Sequence, residues 1–274
     1  NEVYGGHTMV KISVVLATKN GQSHLDQAIQ SILNQTESDF ELIICNDHST
    51  DATQKIIQKY ATQDARIKSF DGEFPVGFTN ALNYGFSHCS GKYIARMDDD
   101  DIAHKTRLEV QANYLDQYPG VAIVGSNINF FDDQGVYGHT KMVGIPTKID
   151  IWRGKLFAHP TVMLRKCDVA KVGMYCTATS VVRIEDYEYW CRFYAYGLVG
   201  INLTDTLLDY REDNQSFKKR DIKRRIRLVK SMYKWRRRLG VSNWYSIFIL
   251  YELFKILVPQ KLIQCYHRHH FRLE

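Results

Sequence analysis

The chain has six cysteines (Cys45, Cys89, Cys167, Cys176, Cys191 and Cys265) and no CxxC pair among them. That spacing supports neither a zinc site nor a disulfide framework, and it fits thiols kept reduced in a cytoplasm. Long hydrophobic runs are missing too. The most apolar segment, 244–258 (WYSIFILYELFKILV), is shorter than the roughly 20 residues that span a bilayer, and Glu252 and Lys255 interrupt it. No transmembrane helix is expected there. The opening NEVYGGHT is polar and the KISVVLA after it is only a strand's length, so no signal peptide is read, and residues 1–8 are expected to be a linker or a cloning remnant. No internal repeat or low-complexity linker interrupts residues 9–215, which points to one domain over that span.

What is present is the material for a core. Of 274 residues, 45% are hydrophobic and 12% aromatic, enough for a globular interior. The net charge of +6 hides a split: residues 1–210 carry 19 Lys+Arg against 25 Asp+Glu, and residues 211–274 carry 17 against 5. A basic tail on an acidic body points to an anionic contact for the tail, with membrane phospholipid and nucleic acid the usual choices.

From Lys11 short β-branched runs alternate with helical segments: KISVVLA, a helix over 23–35, ELIICN, a helix over 51–63 and RIKSFD. VGFTNALNYGFSHC then reads as a helix and KYIARM as a fourth strand. This is a βαβα beginning, so the loops after Leu16, Cys45 and Met97 fall at carboxyl ends of strands, where open parallel sheets hold their ligands. Further on, LEVQANYLDQY reads as a helix, GVAIVGSNINFFD and HPTVMLRK as strands, and EDYEYWCRFYAYG as a helix. After Ser216 the segment KKRDIKRRIRLVKSMYKWRRRLG places Ile222, Ile226, Val229 and Tyr233 at helical spacing among cations, an amphipathic basic helix. With the aromatic stretch behind it, it is expected to form a separate C-terminal module over 216–274.

Three acidic features sit at these strand and helix ends. RMDDDDI gathers Asp98, Asp99, Asp100 and Asp101 directly after a strand. One of them, Asp101, is placed to cap a following helix; repulsion among the rest is best relieved by a divalent cation, and oxygen-only ligands favour Mg²⁺ or Mn²⁺. NDHSTD, residues 46–51, is either a helix cap or a loop whose Asp47 accepts a hydrogen bond from a ligand such as a base N–H. Glu185-Asp186 is either a helix-start pair or a general base with its support.

These signals come in an order that resembles the inverting family 2 glycosyltransferases of GT-A fold, of the non-processive bacterial surface-glycan type. KISVVLATKN is similar to their opening strand, IICNDHSTDAT to their VDDGSTD segment and GKYIARMDDDDI to their YIARMDADDI. HPTVMLRKCDVAKVGMY and IEDYEYWCRF match two later motifs, so the likeness runs over about residues 10–212. The chain departs from the pattern at Asn46 and His48, which replace an Asp and a Gly, at Lys19 and at Asp99. The resemblance implies an α/β GT-A catalytic domain over 9–215, a Rossmann-like nucleotide-binding sheet flanked by helices. Its nucleotide-sugar-binding part would be 9–101 and its acceptor-binding part, with a mixed sheet, 102–215.

It also implies roles. Ala17, Thr18, Asn20 and Asp47 would bind the nucleotide. Asp98 and Asp100 would hold Mg²⁺ or Mn²⁺, with Asp98 and Asp99 near the ribose and sugar and His159 near the sugar or diphosphate. Asp186 would be the catalytic base, supported by Glu185. The donor is expected to be a nucleotide sugar, a UDP-sugar or dTDP-rhamnose, and the acceptor a glycan, a lipid-linked glycan or a glycoprotein. The QxxRW motif and transmembrane helices of processive synthases are missing, so one sugar per event is expected. Residues 216–274 would contact either an anionic membrane at its cytoplasmic face or a second subunit. Nucleic acid is not expected, because the acidic loops would repel it. A nucleotidyltransferase would want a basic glycine-rich loop where ATKNGQSH stands, and an inactive scaffold would not need Asp98, Asp100 and Asp186 together.

Overall fold

The structure, a computed structural model, describes residues 10–212 and 222–258, with residues 262, 270 and 271. The expected linker 1–8 and the first residues of the basic segment, 216–221, lie outside the described residues. The strands β1 (Ile12–Thr18), β2 (Phe40–Asn46) and β4 (Tyr93–Met97) are buried throughout. Their near-continuous apolar sequences reflect helices on both faces of a parallel sheet. β3 (Ile67–Asp71) completes the parallel half in the order β3-β2-β1-β4. Leu16 pairs with both Ile44 and Met97, so the loops after β1, β2 and β4 open on one side. The first three helices between these strands are α1 (Leu25–Leu33), α2 (Thr53–Gln63) and α3 (Phe78–Ser87).

Beyond β4 the sheet becomes mixed. The two-residue β5 (Ile102–Ala103) precedes α4 (Arg107–Gln117), and the long β6 (Val121–Asp132) folds back on β7 (Gly135–His139). After α5 (Lys148–Trp152), β8 (Met163–Arg165) runs antiparallel to both β4 and β6 and joins the two halves. α6 (Lys166–Val172) and α7 (Glu185–Ala195) lead to β9 (Val199–Arg211), which runs parallel to β6 and pairs with β5 at the far edge. Instead of one strand through HPTVMLRK, residues 159–161 form a 3-10 turn around Pro160, and only 163–165 are extended.

Two cores flank the sheet. One joins Ile12, Val14 and Leu16 to Ile29 of α1 and Leu108 of α4. The other joins Val15 and Ala17 to Phe86 of α3 and to Trp152 and Trp190. α8 (Ile222–Arg238) shares this second core: Met232 and Trp235 are buried in it, and Trp152 Nε1 donates to the Met232 carbonyl at 2.8 Å. Composition had suggested a module apart, but α8 has two apolar stripes. The one read from the sequence is largely the outer one, since Ile222, Ile226 and Tyr233 are exposed. The buried stripe is Met232, Trp235 and, just past the helix, Leu239, with partly buried Leu228 beside it. α9 (Ile247–Phe254) packs against α8.

Under the parallel half, Glu41 ties three segments together. It accepts hydrogen bonds from Ser13 Oγ at 2.5 Å, Ser90 N at 2.7 Å and Lys68 Nζ at 2.6 Å. Burial alone would raise its pKa, but these partners outweigh burial and hold it down at about 2. A folded pKa below the usual 4.5 stabilises the fold above that value, and the contribution is lost as pH falls toward 2. Urea unfolding of Glu41→Gln should therefore lack roughly 2 kcal/mol of the acid-side slope between about pH 5 and 2. On α8, Trp235→Ala should cost about 3–5 kcal/mol, whereas exposed Tyr233→Ala should change stability by under about 0.5 kcal/mol.

Candidate active site

The first two loops are stitched together before either meets a ligand. Asn20 adopts a left-handed backbone with φ 55°. Its N–H donates to Ser49 Oγ at 2.8 Å, and its Oδ1 accepts from Thr50 N at 2.9 Å. Gly21 follows because a Cβ there would sit 2.4 Å from Thr18 Oγ1 and 2.5 Å from Asp99 Oδ2, two atoms that hydrogen-bond each other. Asp47 is buried and accepts from Gly77 N at 2.9 Å, with Lys19 Nζ 3.6 Å and His48 Nδ1 3.3 Å away. His48 takes a left-handed φ of 54° itself, a conformation that glycine adopts far more readily.

The acidic run after β4 is sorted by its neighbours. Arg96 donates to Asp98, Thr18 donates to Asp99, and Asp101 accepts from Arg211 N at 2.9 Å. Asp101 caps no helix, contrary to expectation. It is fully buried ahead of β5, and α4 starts after Thr106. One carboxylate oxygen each from Asp98, Asp100 and Asp101 lies within 4.8 Å of the others. Burial, then the charges of Asp98 and Asp100, push the Asp101 carboxyl well above the usual carboxylate range, and burial with Asp98 raises Asp99. Asp101 Oδ2 is buried without a hydrogen-bond partner. A crowded all-oxygen set with an orphaned oxygen fits a hard divalent cation, so Asp101 joins the expected pair as a candidate ligand.

Arg96 is the main residue that sequence reading passed over. It is 2% exposed, its guanidinium lies 5.3 Å from the Phe78 ring, and its Nε and Nη1 have no hydrogen-bond partner. An arginine inside the apolar strand YIARM is itself a signal, because a buried cation needs an anion. Beside it, His159 Nε2 lies 2.8 Å from Tyr175 Oη. Burial and then the Arg96 charge hold His159 well below its ordinary 6.5, so the ring is neutral.

Glu185 and Asp186 occupy the first turn of α7, where the helix dipole favours acidic groups, and Tyr187 N donates to Asp186 Oδ1 at 2.7 Å. Burial, then Asp186, raise the Glu185 carboxyl. The loop before them is held by the C-terminal helix: Arg224 Nε of α8 donates to the Arg183 carbonyl at 2.9 Å.

One cleft of about 860 Å³ brings these groups together. Ala17, Asp98, Asp99, Asp100, His159, Glu185 and Asp186 all line it, as do Lys19, Arg96, Arg183 and Arg224. Thr18, Asn20 and Asp47 lie outside its lining: Thr18 and Asp47 are bonded to lining residues, and Asn20 braces the first two loops.

Residues 13–190 match the model of the family described as Glycosyl transferase family 2. The chain belongs to this family. The glycosyltransferase is 33% identical over 259 residues to EpsE of Bacillus subtilis (strain 168), a chain to which a glycosyltransferase role is ascribed, covering 94% of this chain and 93% of that one. It is 30% identical over 256 residues to the Escherichia coli UDP-Gal:alpha-D-GlcNAc-diphosphoundecaprenol beta-1,3-galactosyltransferase, covering 90% of each. Among solved structures, Staphylococcus aureus TarS in complex with UDP-GlcNAc superposes with a TM-score of 0.65 at 16% identity, covering 90% of this chain and 72% of that one. The mannosyltransferase PcManGT of Pyrobaculum calidifontis, in complex with GDP-Man and Mn²⁺, superposes at 0.63 and 15% identity, covering 94% and 79%. The parallel half, the mixed half and the acidic run at their junction are therefore the GT-A fold of this glycosyltransferase.

The two histidines held in opposite directions give a direct check. Asp209 raises His104 above 6.5, whereas burial and Arg96 lower His159. In an NMR titration of the ring nitrogens, His104 should take up its proton first as pH falls, and His159 should still be neutral once His104 is charged.

Proposed function

We propose that the protein transfers one sugar from a nucleotide-sugar donor, a UDP-sugar in first place and dTDP-rhamnose in second, to a hydroxyl of a glycan, glycolipid or glycoprotein, with inversion at the anomeric carbon. The observation that carries this reading is that Glu185-Asp186 and the Asp98–Asp100 carboxylates line the same cleft. The UDP-sugars named for TarS and for the E. coli galactosyltransferase support the donor class, and the latter's diphosphoundecaprenol substrate supports a lipid-linked acceptor.

In this reading Asp47 and the stitched loops around Ala17, Thr18 and Asn20 receive the nucleotide. Asp98 and Asp100, with Asp101 behind them, would hold Mg²⁺ or Mn²⁺, and that cation when bound neutralises the charge on the diphosphate. Asp99 is kept against Thr18 at the donor side. His159, neutral and fixed through Tyr175, offers a ring nitrogen near the sugar without adding charge. The acceptor hydroxyl attacks the anomeric carbon while the bond to the diphosphate oxygen breaks on the opposite face. Asp186, its carboxylate fixed by the Tyr187 backbone N–H, takes the hydroxyl proton as that bond forms, when attack has acidified the hydroxyl. Glu185 supports Asp186 at the helix start. Free cysteines such as Cys45, Cys89 and Cys191 support work in the reducing cytoplasm.

Asp186→Asn keeps the shape of the site and removes the base. Transfer should fall by at least about 100-fold, with nucleotide-sugar binding measured by calorimetry nearly unchanged. Near-normal turnover of D186N would place the base elsewhere.

A further inference from the structure

The outward side of the C-terminal helices is apolar where a surface helix should be polar. In α9, Ile247, Leu250, Tyr251 and Phe254 follow the i, i+3, i+4, i+7 spacing of one helix face, and all four are exposed. The inward contacts of this helix are made by Phe248 and Ile249 instead. Trp244, just before it, is 84% exposed. On α8, Ile222, Ile226 and Tyr233 form a second exposed stripe. An ion pair from Arg225 to Glu252 at 3.3 Å ties the two helices together. Exposed apolar side chains grouped in this way mark a contact surface rather than ordinary scatter.

The charges around these stripes have one sign. α8 contains no Asp or Glu, and its exposed Lys223, Lys230, Lys234, Arg237 and Arg238 pair with no carboxylate among the described residues. Glu252, the single acid of α9, is already paired with Arg225 and Lys255. An isologous contact between two copies would set these cations against each other. A nucleic acid would satisfy them but leave isoleucine, leucine and phenylalanine facing phosphate. Apolar side chains beside unpaired cations match an acyl layer beneath anionic headgroups.

We propose that the outer faces of α8 and α9 dock on an anionic membrane surface. The helices then lie in the headgroup layer without crossing it, consistent with no described helix being long and apolar enough to span a bilayer. Because Arg224 at the start of α8 lines the cleft, docking brings that edge of the cleft close to the bilayer.

The test is co-sedimentation of the full chain with phosphatidylcholine vesicles that contain or lack phosphatidylglycerol, read together with tryptophan fluorescence. Trp152, Trp190 and Trp235 are buried, so a change on vesicle addition reports on Trp244. The protein should pellet with the anionic vesicles only, with a blue shift that Trp244→Phe removes. The double variant Ile247→Glu, Phe254→Glu should lower partitioning at least about tenfold, as expected for withdrawing two large apolar side chains. Its circular-dichroism melt and donor binding should stay as in wild type, so loss of docking is distinguishable from misfolding or an error in the assigned reaction. Failure to pellet with anionic vesicles, or pelleting unaffected by the double variant, overturns the proposal. So does a dimer in sedimentation equilibrium that the same double variant dissociates.

Discussion

Four successive carboxylates, Asp98 to Asp101, follow a strand buried from end to end, and the surrounding structure is arranged around their repulsion. Two unit charges 4.8 Å apart, the outer separation within the Asp98, Asp100 and Asp101 set, repel by roughly 3 kcal/mol at an effective dielectric near 20. Several such terms would consume much of the about 5–15 kcal/mol that holds a domain folded. The fold answers with Arg96 on Asp98, Thr18 on Asp99 and the Arg211 backbone on Asp101. Arg107, also fully buried, stands behind them and donates to the Arg96 carbonyl at 2.6 Å. Burial draws its pKa down to about 9, which leaves it cationic at neutral pH. One oxygen of Asp101 is left without a hydrogen-bond partner.

The same constraint explains why the site is built from distant parts of the chain. β9 returns from the far side of the sheet so that Arg211 reaches Asp101 and the Asp100 carbonyl. α8, far along in sequence, fixes the loop before Glu185 through Arg224 and Arg227, which donate to the Arg183 and Val182 carbonyls. Arg183 is held there with φ 66°, a strained value for a side chain of its size. The basic C-terminal helix thus belongs to the architecture of the cleft, through its buried Trp235 face as much as through its arginines.

The parallel half was legible because β1, β2 and β4 are buried on both faces and carry runs of β-branched and apolar residues that little else would tolerate. β9 was not, because VGINLTDTLLDYR mixes exposed polar positions with register shifts against β6, so no period of two survives. Asp101 was misread as a cap because an Asp ahead of a helical pattern usually is one; only the tertiary contact with Arg211 reveals a buried role. α8 was recognised as amphipathic, yet its sequence holds two apolar stripes, and spacing alone does not say which one the core takes. Arg96 was missed although its position in a buried strand was visible. Asp98, Asp100, His159, Glu185 and Asp186 were named through motif order, and the cleft gathers all five, while Thr18, Asn20 and Asp47 lie outside its lining.

The most direct measurement is calorimetric titration of UDP into the protein with Mn²⁺ and again with excess chelator, for wild type and for Asp100→Asn. Wild type should bind at least about tenfold more tightly with Mn²⁺, and D100N should lose that gain while keeping its thermal stability. Equal UDP affinity with and without chelator, or an undiminished Mn²⁺ effect in D100N, would contradict a cation held by the carboxylates at the end of β4.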